Sequence, residues 1–170
     1  MDHNARLQLE IIDEVHRCLH AESIPHWLDG GWALDFLLGR VTRPHSDVDW
    51  LIWKKDAERV AALLQARAYR PQTVRHPEEH IGFWKEEQYL SFTLNQLDAN
   101  GRVVTAGRWT DWPYPDGAFS GPDGRIEDRH CPVLSAAGQL DVRENFHKHP
   151  AGAPRREVDE WAIKALRRLL

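Results

Sequence analysis

Cysteine is scarce in this chain: Cys18 and Cys131 are the only two, far apart and without a CxxC spacing. They read as ordinary thiols of a reducing cytosol, with a disulfide the lesser option. Long apolar runs are also missing. None approaches the roughly 20 residues that a membrane span requires. The opening Met-Asp-His-Asn-Ala-Arg has no apolar stretch behind it to act as a secretory signal. A cytoplasmic protein without a membrane partner is therefore expected. Clustered positive charge is equally short. The net charge is −4 and the pI near 6.2, and the basic residues Arg155, Arg156, Arg167 and Arg168 form only a split cluster. Binding by phosphate neutralisation needs a concentrated basic face, so nucleic acid is not an expected partner. Internal repeats and low-complexity tracts are absent too.

What is present is enough for a real core: 170 residues, 42% of them hydrophobic, fit one domain with a small helical appendage. Leu7, Ile11, Val15 and Leu19 recur at helical spacing from Arg6 to Ala21, behind an Asn4 start signal. A short buried strand, Ile24 to Leu28, leads to a helix from Gly31 to Leu38 that Gly39 stops. Asp47 to Trp53 alternates as a strand, with Asp47, Asp49, Leu51 and Trp53 on one face and Val48, Trp50 and Ile52 on the other. Asp56 is expected to cap a helix to Ala68. Strands follow at 69–74, 80–84, 89–97 and 102–106, the last three separated by turns at 85–88 and 98–101. Residues 109–124, rich in Gly, Pro and Asp, read as a long loop of the kind that binds ligands or forms a lid. A further hairpin strand is expected in 125–133. Ser135 opens a helix to about His147, and Glu157 to Leu170 is the closing helix.

Eight tryptophans are expected mainly to fill the core. The loop Trp109-Thr110-Asp111-Trp112-Pro113-Tyr114 has two open readings: it stacks on an acceptor, or it packs down over the sheet. His16 and His20 have the i, i+4 spacing of a zinc pair but lack a partner cysteine and an HExxH glutamate. A solvated helix face accounts for them.

The chemistry concentrates in two segments, Trp27-Leu28-Asp29-Gly30-Gly31-Trp32 and His45-Ser46-Asp47-Val48-Asp49-Trp50. A diglycine before a helix lets backbone N–H groups approach a phosphate, assisted by the helix N-terminus. It lacks the Lys-Ser/Thr of a P-loop and the third glycine of a dinucleotide fingerprint. Two acids on one face of a buried strand are costly unless paired or bound to a cation. Salt bridges to Arg40 or Arg43 are one outlet and divalent metal is the other. Together, Gly-Gly and Asp-x-Asp can meet over one triphosphate.

These segments resemble the nucleotidyltransferase fold of the polymerase β type. They are especially similar to the lincosamide nucleotidyltransferases and aminoglycoside 2″-adenylyltransferases. The matching residues are Trp27, Gly30, Gly31, Trp32, Ala33, Asp35, Gly39, Arg43, His45, Asp47 and Asp49, with a looser likeness through Pro132-Val133-Leu134-Ser135 to Asp159. The resemblance implies an α+β fold: a mixed sheet flanked by helices over residues 1–134, with 135–170 a helical C-terminal segment packed on it. It implies that Asp47 and Asp49 bind two Mg²⁺ ions, which would bridge the triphosphate of ATP or another NTP. Gly30 and Gly31 would contact the phosphates. Arg43 would steady their charge and His45 would orient the loop, although both also read as loop hydrogen-bonding residues. Asp35 reads as a helix-face or capping residue. The implied reaction moves a nucleoside monophosphate to a hydroxyl of a small acceptor, an aminoglycoside or a lincosamide.

One position departs from the family pattern. A third carboxylate, metal ligand and base toward the acceptor, belongs on a later strand, and the alignment places Ser91 there. Serine neither holds a metal by charge nor acts as a base at neutral pH. Alternation puts Glu87 on the face of Ser91, where it would substitute; Asp98 belongs to the turn before Gly101. Three readings stay open: an active transferase with its third acid from Glu87 or elsewhere, a transferase whose acceptor deprotonates easily, or a decayed member that binds nucleotide or a regulatory partner. The sequence leaves acceptor, preferred NTP and oligomeric state undetermined.

Overall fold

The first helix, α1 (His3–Ala21), starts one residue before Asn4 because Asp2, not Asn4, caps it: the Asp2 carboxylate accepts the Ala5 amide at 2.7 Å. This computed structural model describes residues 2–170. After α1 come β1 (His26–Asp29), α2 (Gly30–Leu38), β2 (Asp47–Trp53), α3 (Ala57–Gln65), β3 (Arg70–Gln72), β4 (His80–Lys85), β5 (Gln88–Leu97), β6 (Val103–Thr105), β7 (Gly124–Ile126), β8 (Arg129–Cys131), α4 (Ala136–Asn145) and α5 (Glu157–Arg167). The main sheet runs β1-β2-β5-β4-β3, with β6 also pairing to β5. Among the described strand pairs β2–β5 alone is parallel, and Leu28 also makes an isolated parallel bridge to Val133. This is a mixed α+β architecture with helices flanking the sheet.

Register fixes which face each side chain takes, because directly opposed residues share a face. Val48, Trp50 and Ile52 of β2 lie with Leu90, Phe92 and Leu94 of β5 on one face. There they meet Leu9, Ile12, Val15 and Leu19 of α1 and Val60 and Leu64 of α3 in the main core. Each such fully buried side chain contributes about 1.5–3 kcal/mol relative to exposure. The opposite face carries Asp47, Asp49 and Leu51. Leu51 is sealed by Ala118 and Leu134, so only the aspartate end of β2 stays open. The expected alternation of this strand thus holds over its whole length.

Several expectations need correction. Asp56 does not cap α3 with its side chain; it closes a 3₁₀ turn, Lys54–Asp56, and α3 ends at Gln65 rather than Ala68. The stretch 125–133 is a two-stranded hairpin of its own, β7 with β8. Of the eight tryptophans, only Trp32 and Trp50 are fully buried. Trp109, Trp112 and Trp161 line cavities, whereas Trp27 and Trp53 pack on Phe119. Asp98 behaves as expected, accepting the amides of Asn100 and Arg102 in its turn.

The C-terminal helices frame the open end of β2. Ser135 caps α4 by accepting the Gly138 amide, and α5 buries Ala162 and Leu166 against Leu34 of α2. No described helix is long and apolar enough to cross a membrane.

Candidate active site

The site is built where β1 gives way to α2. Gly30 takes φ +66°, a left-handed conformation, and the Asp49 carboxylate fills the space where a Cβ would stand. At Gly31 a Cβ would run into the Arg43 guanidinium and the His45 ring. The diglycine therefore lets the turn close onto Asp49 and onto the loop before β2. It brings the start of α2 against the two aspartates.

Asp35 holds that loop. It is fully buried and accepts the Thr42 amide at 3.0 Å, the Thr42 hydroxyl and His45 Nε2, the last at 2.7 Å. His45 is almost entirely covered, its ring lies tilted against Trp32 with centroids 4.4 Å apart, and its carbonyl accepts from Gln8. Its ring faces the interior rather than the cavity beside the aspartates. It fixes the loop, while its neighbour Arg43 lines the cavity.

That cavity, about 730 Å³, is lined by Gly30, Gly31, Arg43, Asp47, Asp49 and a rim of cations from the C-terminal segments, Arg143, Arg155 and Arg156. Arg143 donates to the Gly30 carbonyl at 2.8 Å. Arg156 caps α5 together with Asp159. The exposed Trp161 stands at the mouth. Acids on one wall and guanidinium groups on the other suit a ligand that carries both bound cation and negative charge. Burial, then the neighbouring Asp47 and Asp29, push the Asp49 carboxyl up to about 7. A carboxylate held in that state is relieved by a divalent cation. Asp47 and Asp49 supply two carboxylates on an open edge, which fits Mg²⁺: it takes one or two protein carboxylates and completes its shell with phosphate and water oxygens.

Among the described residues, the one group of three metal-ligating side chains within 4.8 Å lies elsewhere, at His76, Glu78 and Glu79. Glu79 there is bound by Arg108, whose Nε lies at 2.6 Å and Nη2 at 2.9 Å. That ion pair holds the Glu79 carboxyl down at about 2.

A second cavity of about 280 Å³ adjoins the first. Trp109, Trp112, Tyr114 and Phe146 wall it, and Asp29, Val142 and Phe146 are common to both cavities. Trp109 stacks between Phe146 and His149, so the aromatic loop both packs down and faces a cavity. Ser91 lies beside Asp49 across the parallel β2–β5 pair. Glu87 is not near them: it is an exposed residue at φ +62° in the β4–β5 hairpin turn.

Asp29, Arg143, Arg155 and Arg156 were not legible as site residues. Asp29 abuts the diglycine, and a strand ending there was the available signal. The arginines come from distant C-terminal segments, and no local pattern joins them to the aspartates.

The comparisons with known proteins agree with this geometry. The family described as aminoglycoside-2″-adenylyltransferase matches residues 11–166. A lincosamide resistance protein of Staphylococcus haemolyticus is 27% identical over 145 residues, covering 85% of this chain and 84% of that protein. The crystal structure of the lincosamide antibiotic adenylyltransferase LnuA with lincomycin superposes with a TM-score of 0.68 at 21% identity, covering 100% of this chain and 98% of that one. The structure of ANT(2″)-Ia with adenylyl-2″-tobramycin gives 0.74 at 17% identity, over 94% of this chain and 87% of that one. At these identities the structural likenesses speak for the fold; the family match, which spans nearly the whole sequence, speaks for kinship. This protein belongs to the aminoglycoside-2″-adenylyltransferase family.

Proposed function

We propose that this protein transfers AMP from ATP, with Mg²⁺, to a hydroxyl of a small antibiotic acceptor of the lincosamide or aminoglycoside class. The observation that carries this reading is the pair of adjoining cavities, one lined by Asp47 and Asp49 together with four arginines, the other walled by aromatic rings. Lincomycin and tobramycin derivatives in the related structures supply the acceptor classes. Asp47 and Asp49 would hold two Mg²⁺ ions, which when bound neutralise the triphosphate and stabilise attacking and departing oxygens. Arg43, Arg143, Arg155 and Arg156 bind the phosphates as planar guanidinium donors. The Gly30–Gly31 backbone admits the chain of phosphates to the start of α2, where N–H groups face it. The aromatic cavity seats the acceptor ring system and excludes water from the reacting hydroxyl. Consumption of ATP supports a cytoplasmic location.

The test is incubation with Mg·ATP and lincomycin or tobramycin, followed by mass spectrometry of the acceptor and a pyrophosphate assay. An adenylylated acceptor with matching pyrophosphate is expected. The absence of both with either antibiotic class would contradict the reading. Ser91 beside Asp49 favours one alternative, an impaired family member that binds nucleotide in a regulatory role. That alternative predicts nucleotide binding without pyrophosphate release.

A further inference from the structure

We propose that Asp29 delivers to the acceptor hydroxyl the carboxylate that the sheet lacks at Ser91. This rests on the nucleotidyl-transfer reading above. Asp29 is directly opposite Asp49 in the antiparallel β1–β2 pair, and Ser91 is the partner of Asp49 in the parallel β2–β5 pair. All three side chains therefore share one face, with neighbouring Cβ atoms about 5 Å apart. Asp29 and Ser91 flank Asp49 on its two sides, and only the Asp29 side carries an acid.

Elimination points the same way. Besides Asp47 and Asp49, the carboxylates lining the two cavities are Asp29, Glu79, Asp141 and Asp159. Glu79 is committed to Arg108, Asp141 accepts from the Asn145 amide at 2.9 Å, and Asp159 is bound by Arg156. The Asp29 carboxylate does not cap α2, the helix it precedes; Arg143 donates its Nη2 to the Gly30 carbonyl and acts on Asp29 as a neighbouring positive charge. Asp29 also lines both cavities. With Val142 and Phe146 it marks the junction where a hydroxyl from the aromatic cavity would approach the phosphate cavity.

The step balances without further reactants. The acceptor O–H proton moves to an Asp29 carboxylate oxygen as the acceptor oxygen bonds to the α-phosphorus. The bond from the α-phosphorus to the bridging oxygen breaks, and its electron pair leaves with pyrophosphate. No group is oxidised or reduced.

The test compares wild type, Asp29→Asn and the double variant Asp29→Asn with Ser91→Asp. Asp29→Asn is expected to lower kcat by about 10²–10⁴-fold, the usual weight of general-base catalysis. Calorimetric affinity for Mg·ATP carrying a non-hydrolysable α,β-bridge is expected to stay within about threefold. Adding Ser91→Asp is expected to recover at least tenfold in kcat by restoring an acid on the other flank of Asp49. Asp29→Ser, which gives position 29 the side chain of position 91, serves if the asparagine variant fails to fold. A kcat within threefold of wild type in a folded Asp29 variant overturns the assignment alone. Loss of nucleotide affinity as complete as in Asp47→Ala also overturns it, by making Asp29 part of the metal and phosphate site. A wild type that binds nucleotide but transfers nothing overturns the transfer reading itself, and this assignment with it.

Discussion

Nε2 of His45 lies 2.7 Å from Oδ2 of Asp35, a contact between two side chains that solvent scarcely reaches. Together with the two bonds from Thr42, it fastens the loop that carries Arg43 to the helix that follows the diglycine. Replacing Asp35 with Ala would strand the Thr42 amide and hydroxyl, both partly buried, and the covered His45 ring. The expected cost is about 3 kcal/mol, read as a shift of the urea midpoint. Nucleotide affinity should fall as well, because the loop before Asp47 loses its anchor. Unchanged stability would contradict this role.

Asp49→Asn should stabilise the metal-free protein while abolishing activity. The folded carboxyl titrates at about 7, against an ordinary value of 3.8. Between those values the folded state holds a proton that the unfolded state has lost, so wild-type stability declines as pH rises from about 4 to 7 and then levels off. Asn has no such slope. At about 1.4 kcal/mol per pK unit, and halved for an edge open to solvent, the variant should gain about 2 kcal/mol at pH 8 and almost nothing at pH 4. Thermal melts at both pH values without metal check this.

The Glu79–Arg108 pair has the opposite sign. The folded carboxyl is held at about 2, below its ordinary 4.5, so its contribution is complete above pH 4.5 and is lost as pH falls through about 2. Glu79→Gln should cost about 1.5 kcal/mol at pH 7, with the difference from wild type vanishing near pH 2. Because Arg108 bears on the aromatic cavity, the acceptor KM should rise while the nucleotide KM holds.

Trp161 is 43% exposed at the mouth of the phosphate cavity, a position suited to stacking a nucleobase. Stacking contributes about 1–3 kcal/mol per base. Trp161→Ala should therefore raise the nucleotide KM on the order of tenfold, leave kcat near wild type and scarcely change the melting temperature. An unaltered KM would remove Trp161 from the site.

How much of this could be read beforehand follows the range of the interactions. Asp47 to Trp53 was legible because a strand buried on one face writes a period of two into its own residues. The diglycine was legible as a turn, but half of its reason was not: the space a Cβ would take belongs to Asp49, 19 positions on from Gly30. Glu87 looked eligible by alternation alone. A two-residue hairpin turn with positive φ at Glu86 and Glu87 ends the strand before it, and turn geometry is not carried by alternation. His45 matched the family motif, yet its ring bonds to Asp35, a pairing set by how α2 folds back over the loop. Arg155 and Arg156 come to the site beside α5, which buries Leu166 against Leu34, and Arg143 comes with α4, whose Leu140 packs on the same cluster, contacts between distant segments.

The central claim is that Asp47, Asp49 and the diglycine turn hold one polyphosphate through magnesium. Calorimetric titration of wild type and Asp47→Ala with Mg·ATP bearing a non-hydrolysable α,β-bridge tests it most directly. Saturable binding at one site, dependent on Mg²⁺ and lost in the variant, is the expected result. No heat with wild type, or equal affinity in the variant and in the absence of Mg²⁺, would contradict it.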